Sequence, residues 1–252
     1  MDHETGLGID IGGSGIKGAP VNLQTGELQA DRLKIATPTP STPDAVTEVV
    51  AQIVEHFKDH TSSGPIGVTV PAVVKSGVVR TAANIDHSWI GANGQTLIAD
   101  AVTRPVHLVN DADAAGVAEA RYGAARATKG LVFLATLGTG IGTALLYDGV
   151  LIPNAELGHL EIDGYDAEKR AASSVKDKDG LSYEQWAERL QLYFSRVEDL
   201  LWPDLIVVGG GVSRKAEKFL PLLHLRAPIV AAQLQNAAGI VGAARLAHER
   251  QI

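Results

Sequence analysis

Two glycine-rich segments of the sequence contain the residue types that hold phosphate groups. Their members are Gly12, Gly13, Ser14 and Gly15 in the first segment and Gly138, Thr139 and Gly140 in the second. Backbone N–H groups and hydroxyls in such segments donate hydrogen bonds to phosphate oxygens, and the ammonium of Lys17 would neutralise part of the phosphate charge. Neither segment has the Gly-Lys pair followed by Ser or Thr that defines a P-loop. Each segment alone is typical of a tight hairpin, but the two together indicate phosphate binding.

A second candidate for chemistry is the pair Asn110 and Asp111, which stands where a predicted strand meets a predicted helix. Asp and Asn are good helix caps, which is one interpretation. In the other, the carboxylate lies at the carboxyl end of a strand, where open α/β sheets bind ligands. A carboxylate there could accept the proton of a hydroxyl that attacks a phosphoryl group. The residue types leave both interpretations open.

A third cluster consists of Glu156, His159 and Glu161. Carboxylates and imidazole hydrogen-bond the neighbouring hydroxyls of a sugar, so sugar recognition is one hypothesis. A metal site would need Glu156 and His159 on one helix face, and Pro153 and Gly158 disfavour a helix there. A purely structural histidine is the third possibility.

A run of three glycines, Gly209, Gly210 and Gly211, follows an apolar segment and opens a predicted helix. This is a suitable place for a nucleotide base or phosphate, and it is equally typical of a tight strand-to-helix turn. The cations just beyond it are Arg214, Lys215 and Lys218. They are interpreted either as a solvated helix face or as part of a path for a long anion.

The elements that must position these residues form an α/β pattern. Residues 7–22 predict a hairpin, and Thr42 and Pro43 begin a helix as N-cap and first residue. Predicted strands cover 66–70, 77–81, 106–109, 131–136, 141–147 and 205–208, and further predicted helices cover 112–122, 181–200 and 237–248. The first glycine segment recurs at an offset of 139 − 14 = 125 residues, each time between two apolar strands. This indicates an internal repeat of two similar halves, with coincidence as the alternative.

Composition excludes several classes of protein. The chain has 252 residues, no cysteine and a formal net charge of −7, so it has no disulfide or thiolate metal site, and it is not expected to coat nucleic acid. No apolar run is long enough for a membrane span, and residues 1–5 lack the character of a signal peptide. We therefore expect a cytoplasmic protein with no nucleic-acid or membrane partner.

Five segments, in order along the chain, resemble the ROK family of the actin/hexokinase superfamily. They are residues 10–18, 110–115, 137–142, 156–159 and 207–213. The resemblance implies a two-lobed actin-like fold with a cleft between the lobes and phosphoryl transfer to a hexose. It also implies an N-terminal lobe of residues 1–109, rejoined by a C-terminal helix at 237–252, and a larger lobe of residues 110–236 that forms a homodimer.

Further segments are similar to the polyphosphate-dependent glucokinases and glucomannokinases of that family. They are residues 81–86, 88–91, 153–161 and 236–244. This similarity implies glucose or mannose as the acceptor, inorganic polyphosphate or ATP as the donor, and Mg²⁺ as cofactor. A strictly ATP-dependent glucokinase is the alternative.

The resemblance also assigns roles to single residues. Asp111 is implied as the general base, Asp10 as a partner of Mg²⁺ through water, and Gly209, Gly210 and Gly211 as nucleotide contacts. The implied sugar contacts are Asn84, Asn110, Asp111, Glu156, His159 and Glu168. Most family members carry a cysteine cluster that binds structural zinc. This chain has no cysteine, so no structural zinc is expected.

Two other classes of function are not expected for this sequence, and one residue differs from the pattern of the family. A sugar-sensing ROK regulator needs a helix-turn-helix module ahead of the first phosphate segment, and that segment already begins at Asp10. An actin-like filament protein would not need the sugar residues Glu156 and His159. The local departure is that Pro71 is followed by Ala72, where the family usually has glycine.

Overall fold

The computed structural model describes residues 5–83 and 85–249. The described residues form two compact units. The first unit comprises residues 5–118 and 237–249, and the second comprises residues 119–236. Each unit combines one five-stranded sheet with helices, so the α/β class expected from the sequence is confirmed.

The helices and strands are numbered in chain order. From the start of the chain they are β1 (Thr5–Gly12), β2 (Gly15–Asn22), β3 (Leu33–Ile35), α1 (Pro43–His56), β4 (Ile66–Val70), β5 (Val74–Lys75), β6 (Val78–Val79), α2 (Gly94–Val102), β7 (Val106–Asn110) and α3 (Asp111–Tyr122). They continue as β8 (Leu131–Leu137), β9 (Ile141–Tyr147), β10 (Val150–Ile152), β11 (Glu161–Ile162), β12 (Tyr165–Asp166), α4 (Glu168–Ala171), α5 (Ser173–Lys178), α6 (Tyr183–Leu201), β13 (Leu205–Gly209), β14 (Ile229–Ala231) and α7 (Ala238–Glu249).

The two five-stranded sheets have the same strand arrangement. The first runs β3-β2-β1-β4-β7 and the second β10-β9-β8-β13-β14. In each sheet, an antiparallel hairpin (β1–β2 or β8–β9) is followed by two strands parallel to its first strand. The internal repeat indicated by the glycine segments is therefore present in the strand order, with one hairpin at the centre of each sheet.

Local sequence signals explain the helix α1. The side chain of Thr42 accepts a hydrogen bond from the N–H of Ala45, and Pro43 occupies the first turn. Both features favour a helix start at this position. One face of the helix, which includes Val46, Val50 and Ile53, is fully buried in the core of the first unit.

The helix α7 lies against the strands of the first unit at two glycines. A Cβ atom on Gly8 would lie 1.9 Å from the carbonyl oxygen of Ile240, and one on Gly67 would lie 1.9 Å from that of Ala243. Only glycine allows so close an approach between backbones. The C-terminal helix therefore belongs to the first unit, and this unit extends to Ala118, past the boundary at Val109 that the sequence suggested.

The core of the second unit forms around α6. This helix begins with a capping box between Ser182 and Gln185, and its buried face includes Trp186, Leu190 and Phe194. The indole Nε1 of Trp186 donates to the carbonyl of Ala171, 2.9 Å away, which ties α6 to the end of α4.

The described elements differ from the sequence predictions in several places. The predicted strand at 77–81 is reduced to the two residues of β6, and α2, α4 and α5 form where no helix was predicted. The short strands β3, β5, β10, β11, β12 and β14 were not predicted either. The predicted helix after Gly209 is a 3₁₀ helix, Gly211–Lys218, with a kink at Lys215. Across the described ranges, no helix combines the length and apolar character that a membrane span requires.

Candidate active site

The first glycine segment forms the turn between β1 and β2. Gly12 pairs with Gly15 across the hairpin, which leaves Gly13 and Ser14 as a two-residue exposed turn. The hydroxyl of Thr37 donates to the carbonyl of Gly12 at 2.5 Å. The turn thus presents its tip to solvent, as a phosphate-binding turn must.

A carboxylate and a cation lie just behind this turn. Asp10 and Lys17 are cross-strand neighbours, and Nζ of Lys17 is 3.6 Å from Oδ2 of Asp10. The hydroxyl of Thr69, on the neighbouring strand β4, donates to Oδ1 of Asp10 at 2.8 Å. Thr69 was not singled out from the sequence, although it stands beside Asp10 in the parallel register of β1 and β4. The three side chains hold the carboxylate and the ammonium in fixed positions near the turn.

At the junction of β7 and α3, Asn110 and Asp111 have separate roles in the local structure. The Asn110 Oδ1 accepts from the N–H groups of Ala112 and Asp113, at 2.9 and 3.0 Å. Its Nδ2 donates to the carbonyl of Ala72, 3.1 Å away. Asn110 is therefore the helix cap, and Ala72 takes part through its backbone carbonyl, a contact that alanine makes as well as glycine.

Asp111 is the first residue of α3 and is half-buried. Its Oδ1 accepts a hydrogen bond from the N–H of Ala112 at 2.9 Å. A carboxylate at a helix N-terminus is stabilised in its ionised form by the helix dipole. The predicted sugar contact Asn84 lies outside the described residues.

The second glycine segment forms the turn between β8 and β9, and the start of α5 holds it. The N–H of Gly138 donates to the carbonyl of Gly140 at 2.9 Å. The N–H of Ser174 donates to the carbonyl of Gly138 at 3.0 Å. The hydroxyl of Ser174 donates to the backbone carbonyl of Thr139 at 2.6 Å. Ser174 was missed from the sequence, since it lies in another element.

The carboxylate of Glu168 completes this second turn. Its Oε2 accepts a hydrogen bond from the N–H of Ile141 at 2.8 Å, and a Cβ atom on Gly140 would lie 2.0 Å from the same oxygen. Neither Gly138 nor Gly140 has a left-handed φ. A side chain at Gly140 would instead have to displace the carboxylate of Glu168 from the N–H of Ile141.

Glu156 is the N-cap and His159 the last residue of a short 3₁₀ helix, Leu157–His159. Thr143 and Tyr193 anchor this helix. The hydroxyl of Thr143 donates to the carbonyl of Ala155 and accepts from the N–H of Leu157 at 2.9 Å. The buried hydroxyl of Tyr193 donates to the carbonyl of Leu157 at 3.3 Å, and burial raises the pKa of Tyr193 so that it stays protonated. The segment is not an α-helix, so the helix face needed for the metal hypothesis does not form.

Burial, hydrogen bonding and neighbouring charges raise the pKa values of two residues in this segment. Desolvation raises the pKa of the Glu156 carboxyl, and the charge of Glu168 acts in the same direction. The hydrogen bond to Asp166 raises the pKa of His159, and the nearby charges of Glu168 and Glu156 add to the effect. The third residue of the predicted cluster, Glu161, is exposed on β11 opposite Asp166.

Asp166 is a residue of this site that sequence reasoning missed. Its Oδ2 lies 3.0 Å from Nδ1 of His159, and its Oδ1 accepts from the backbone N–H of Glu168 at 3.0 Å. No motif or spacing rule signals these contacts, because they depend on the short hairpin of β11 and β12.

The glycine run after β13 packs against the second hairpin. Gly210 has φ of 83°, and a Cβ atom there would lie 2.4 Å from the carbonyl oxygen of Leu137. Both features require glycine. The cations beyond it, Arg214, Lys215 and Lys218, are exposed, and Nζ of Lys218 lies 5.6 Å from the centre of the Tyr183 ring. The three glycines themselves have no polar side chains, unlike the second turn and the Glu156–His159 segment.

The described part of the chain has no cluster of side chains that could bind a metal ion by itself. No set of three or more His, Asp or Glu residues is arranged to bind a metal ion there. Asp10 is a single carboxylate. This suits Mg²⁺, which keeps several waters and binds through one or two carboxylates together with substrate phosphates.

Comparisons with known proteins agree with this chemistry. A family model described as "ROK family" matches residues 6–180. The chain is 55% identical over 240 residues to a polyphosphate glucokinase of Mycobacterium tuberculosis (strain CDC 1551 / Oshkosh), with 95% of this chain and 89% of that one covered.

Solved structures are similar over nearly the whole chain. The inorganic polyphosphate/ATP-glucomannokinase from Arthrobacter sp. strain KM has a TM-score of 0.94 and 50% identity, with 98% of this chain and 99% of that chain covered. A ROK family glucokinase from Streptomyces griseus has a TM-score of 0.83 and 23% identity, with 97% and 99% covered. These matches confirm the actin-like hexokinase fold expected from the sequence.

Proposed function

Because the chain belongs to the ROK family, we propose that it transfers a phosphoryl group from inorganic polyphosphate to the 6-hydroxyl of glucose. The observation that carries this proposal is the 55% identity, over 95% of the chain, to a relative named polyphosphate glucokinase. The two glycine turns, the helix-start carboxylate and the Glu156–His159 segment described above supply the groups that this reaction needs.

Asp111 is the general base in this proposal. A sugar hydroxyl is a weak nucleophile while it keeps its proton, and a carboxylate that accepts the proton as the new O–P bond forms makes the attack easier. Asn110 orients Asp111 by capping α3. Asn84, Asn110, Glu156, His159 and Glu168 bind the sugar hydroxyls, and mannose is a second acceptor.

The phosphates of the donor are held by the two turns and by Lys17. Two of the four amides from Gly138 to Ile141 are already engaged within the protein, so the hydroxyls of Ser14 and Thr139 contribute alongside the remaining amides. Mg²⁺ bound with the donor neutralises phosphate charge, and Asp10 is the residue that would hold it through water. ATP is a second donor, with its nucleoside at Gly209, Gly210 and Gly211.

The absence of cysteine from the sequence argues against a structural zinc site, and metal analysis of the purified protein tests this. A homodimer is also part of the proposal, on the strength of the family resemblance. Sedimentation measurements check it independently of activity.

The direct test is a coupled assay in which glucose and mannose are each offered with polyphosphate and with ATP. We expect glucose turnover with polyphosphate, and a KM for polyphosphate that rises more steeply with salt than the KM for glucose, because multiple charge contacts are screened together. The double variant Lys215→Ala with Lys218→Ala should raise the KM for polyphosphate more than that for ATP. Turnover with ATP and none with polyphosphate would refute polyphosphate as the donor. No turnover with either donor would refute the proposed kinase activity.

A further inference from the structure

One carboxylate of the second unit contacts both of its neighbouring sugar-site residues. Asp166 lies at the end of β12, with Oδ2 3.0 Å from the imidazole Nδ1 of His159. Its other oxygen, Oδ1, accepts the backbone N–H of Glu168 at 3.0 Å. Asp166 is only about one-quarter exposed, with a side-chain exposure of 26%. The two contacts therefore use both oxygens of a partly buried carboxylate.

These contacts decide which nitrogen of His159 carries the proton in the neutral ring. An ionised carboxylate can only accept hydrogen bonds, so Nδ1 of His159 must be the donor toward Asp166. In the neutral imidazole the other nitrogen, Nε2, then has a lone pair and accepts. A sugar hydroxyl can donate to that lone pair. The hydrogen bond to Asp166 raises the pKa of His159, so the neutral ring forms above that raised pKa, and below it both nitrogens donate.

We propose that Asp166 is a positioning residue for sugar binding, which holds His159 with Nδ1 protonated so that Nε2 accepts a hydrogen bond from a sugar hydroxyl. The inference rests on the proposed function in one respect, that His159 contacts the sugar. The same carboxylate holds the first residue of α4, Glu168, whose side chain binds the N–H of Ile141 at the second turn. One side chain thus orients the histidine and the start of the helix that supports the turn.

The substitution Asp166→Asn separates a positioning role toward His159 from a purely structural role. Asn accepts a backbone N–H as well as Asp does, so it keeps the bond to the N–H of Glu168 with its only oxygen. The amide NH₂ must then face Nδ1 of His159. Because that group is a donor, the histidine is forced to protonate Nε2 and presents a donor, not an acceptor, to the sugar.

The experiment compares wild type, Asp166→Asn and the matched control Asp163→Asn. Asp163 is exposed in the adjoining turn with φ of 53°, a conformation that Asn tolerates, and its substitution removes the same charge. Long-range ¹H–¹⁵N spectra of the histidine rings report the tautomer, and His159→Ala identifies the signals. Calorimetry gives the glucose affinity without any turnover.

In wild type and Asp163→Asn we expect His159, once neutral, to be protonated at Nδ1. In Asp166→Asn we expect protonation at Nε2, glucose binding weakened by about ten-fold, and a Tm within about 2 °C of wild type. An unchanged tautomer, or an inverted tautomer with unchanged glucose affinity, overturns the inference, as does a wild type that does not bind glucose. Glucose binding without phosphoryl transfer in wild type would instead refute the proposed function alone.

Discussion

The sheets of the two units share a strand order, but different chemistry stands at the ends of their strands. In the first sheet, carboxylates belong to the strands themselves or follow them directly: Asp10 lies within β1, and Asp111 follows β7. In the second, β8, the equivalent of β1, has no charged residue and leads into the glycine segment, and β14, the equivalent of β7, is followed by Ala232. The carboxylate at the second turn is that of Glu168, which comes from α4 outside the sheet. A repeated backbone thus does not repeat its chemistry, since a fold accepts different sites at equivalent places.

The two turns also differ in what holds them. The first is a two-residue turn with a charged pair, Asp10 and Lys17, behind it. The second has three residues, and Ser174 and Glu168 bind its backbone directly. We infer that the first unit supplies charge to the reaction, whereas the second supplies a rigid backbone surface.

The largest effect is expected in the first unit, for Asp111→Asn. Loss of the proton acceptor should lower kcat by about 10²–10⁴-fold, while α3 stays capped because Asn110 is the capping residue. Steady-state kinetics and glucose calorimetry on the same sample separate the two effects. Asp100→Asn, at an exposed position of α2, is the control for charge. A variant that keeps more than about half of the wild-type kcat would show that Asp111 is not the general base.

A smaller effect, on the Tm and on the KM for polyphosphate, should distinguish the two turns. The variants compared are Gly140→Ala, Gly15→Ala and Gly138→Ala. At Gly140 the new methyl would meet Glu168 Oε2 at 2.0 Å and displace it from the N–H of Ile141. The loss of a hydrogen bond to a charged group costs about 1.5–3 kcal/mol, or a Tm lower by roughly 3–12 °C. Thermal unfolding and the KM for polyphosphate are the measurements.

The other two substitutions are the matched controls. At Gly15 the methyl would meet the flexible end of Lys34 at 2.4 Å, and at Gly138 nothing lies within 4 Å. Both should change the Tm by less than about 2 °C. If Gly15→Ala proves as harmful as Gly140→Ala, the two turns are equally rigid and the contrast fails.

The smallest effect on stability is expected for Glu156→Gln, and it is a gain. The folded protein raises the pKa of Glu156 by desolvation and by the charge of Glu168, so the folded state binds a proton over a pH range in which the unfolded state has released it. The carboxylate therefore destabilises the fold increasingly as pH rises from about 4.3, its unperturbed pKa, through the raised value. Gln removes this penalty, so its Tm should equal that of wild type near pH 4 and exceed it slightly at pH 7.

The same variant should weaken sugar use, with a glucose KM higher by about ten-fold, because a sugar hydroxyl loses its charged acceptor. Thermal unfolding across the pH range and glucose kinetics at neutral pH give both readouts. A Tm below that of wild type at pH 7, or an unaltered KM, would show that Glu156 supports the fold rather than the sugar.

Local signals explain which parts of the molecule could be predicted from the sequence. The start of α1 at Thr42 and Pro43 and the buried stripe of α6 around Trp186 follow from capping residues and from helical periodicity. Both are properties of neighbouring residues. The hairpin turns were found in the same way, because glycine clusters between apolar strands are a local pattern.

The contacts that arrange the site depend on distant elements. Asp166 reaches His159 only because β11 and β12 form a hairpin from two-residue strands, which are too short to have a periodicity. Ser174 meets the second turn through α5, at a separation of 35 residues. Which of Asn110 and Asp111 caps α3 could be decided only from the donor and acceptor positions, since either residue type can cap a helix.

The packing of α7 on Gly8 and Gly67 has a consequence for the order of events during synthesis. The first unit needs residues 237–249, whereas the second is continuous at residues 119–236. A ribosome adds about 5–20 residues per second, so the 236 − 118 = 118 residues of the second unit alone take roughly 6–24 s to make. The strands β1 and β4 wait at least that long for the helix that covers them. Over that interval the second unit can complete its sheet, while the first exposes the apolar side of β1 and β4 to chaperones. The half of the protein that is made first is thus the half that finishes folding last.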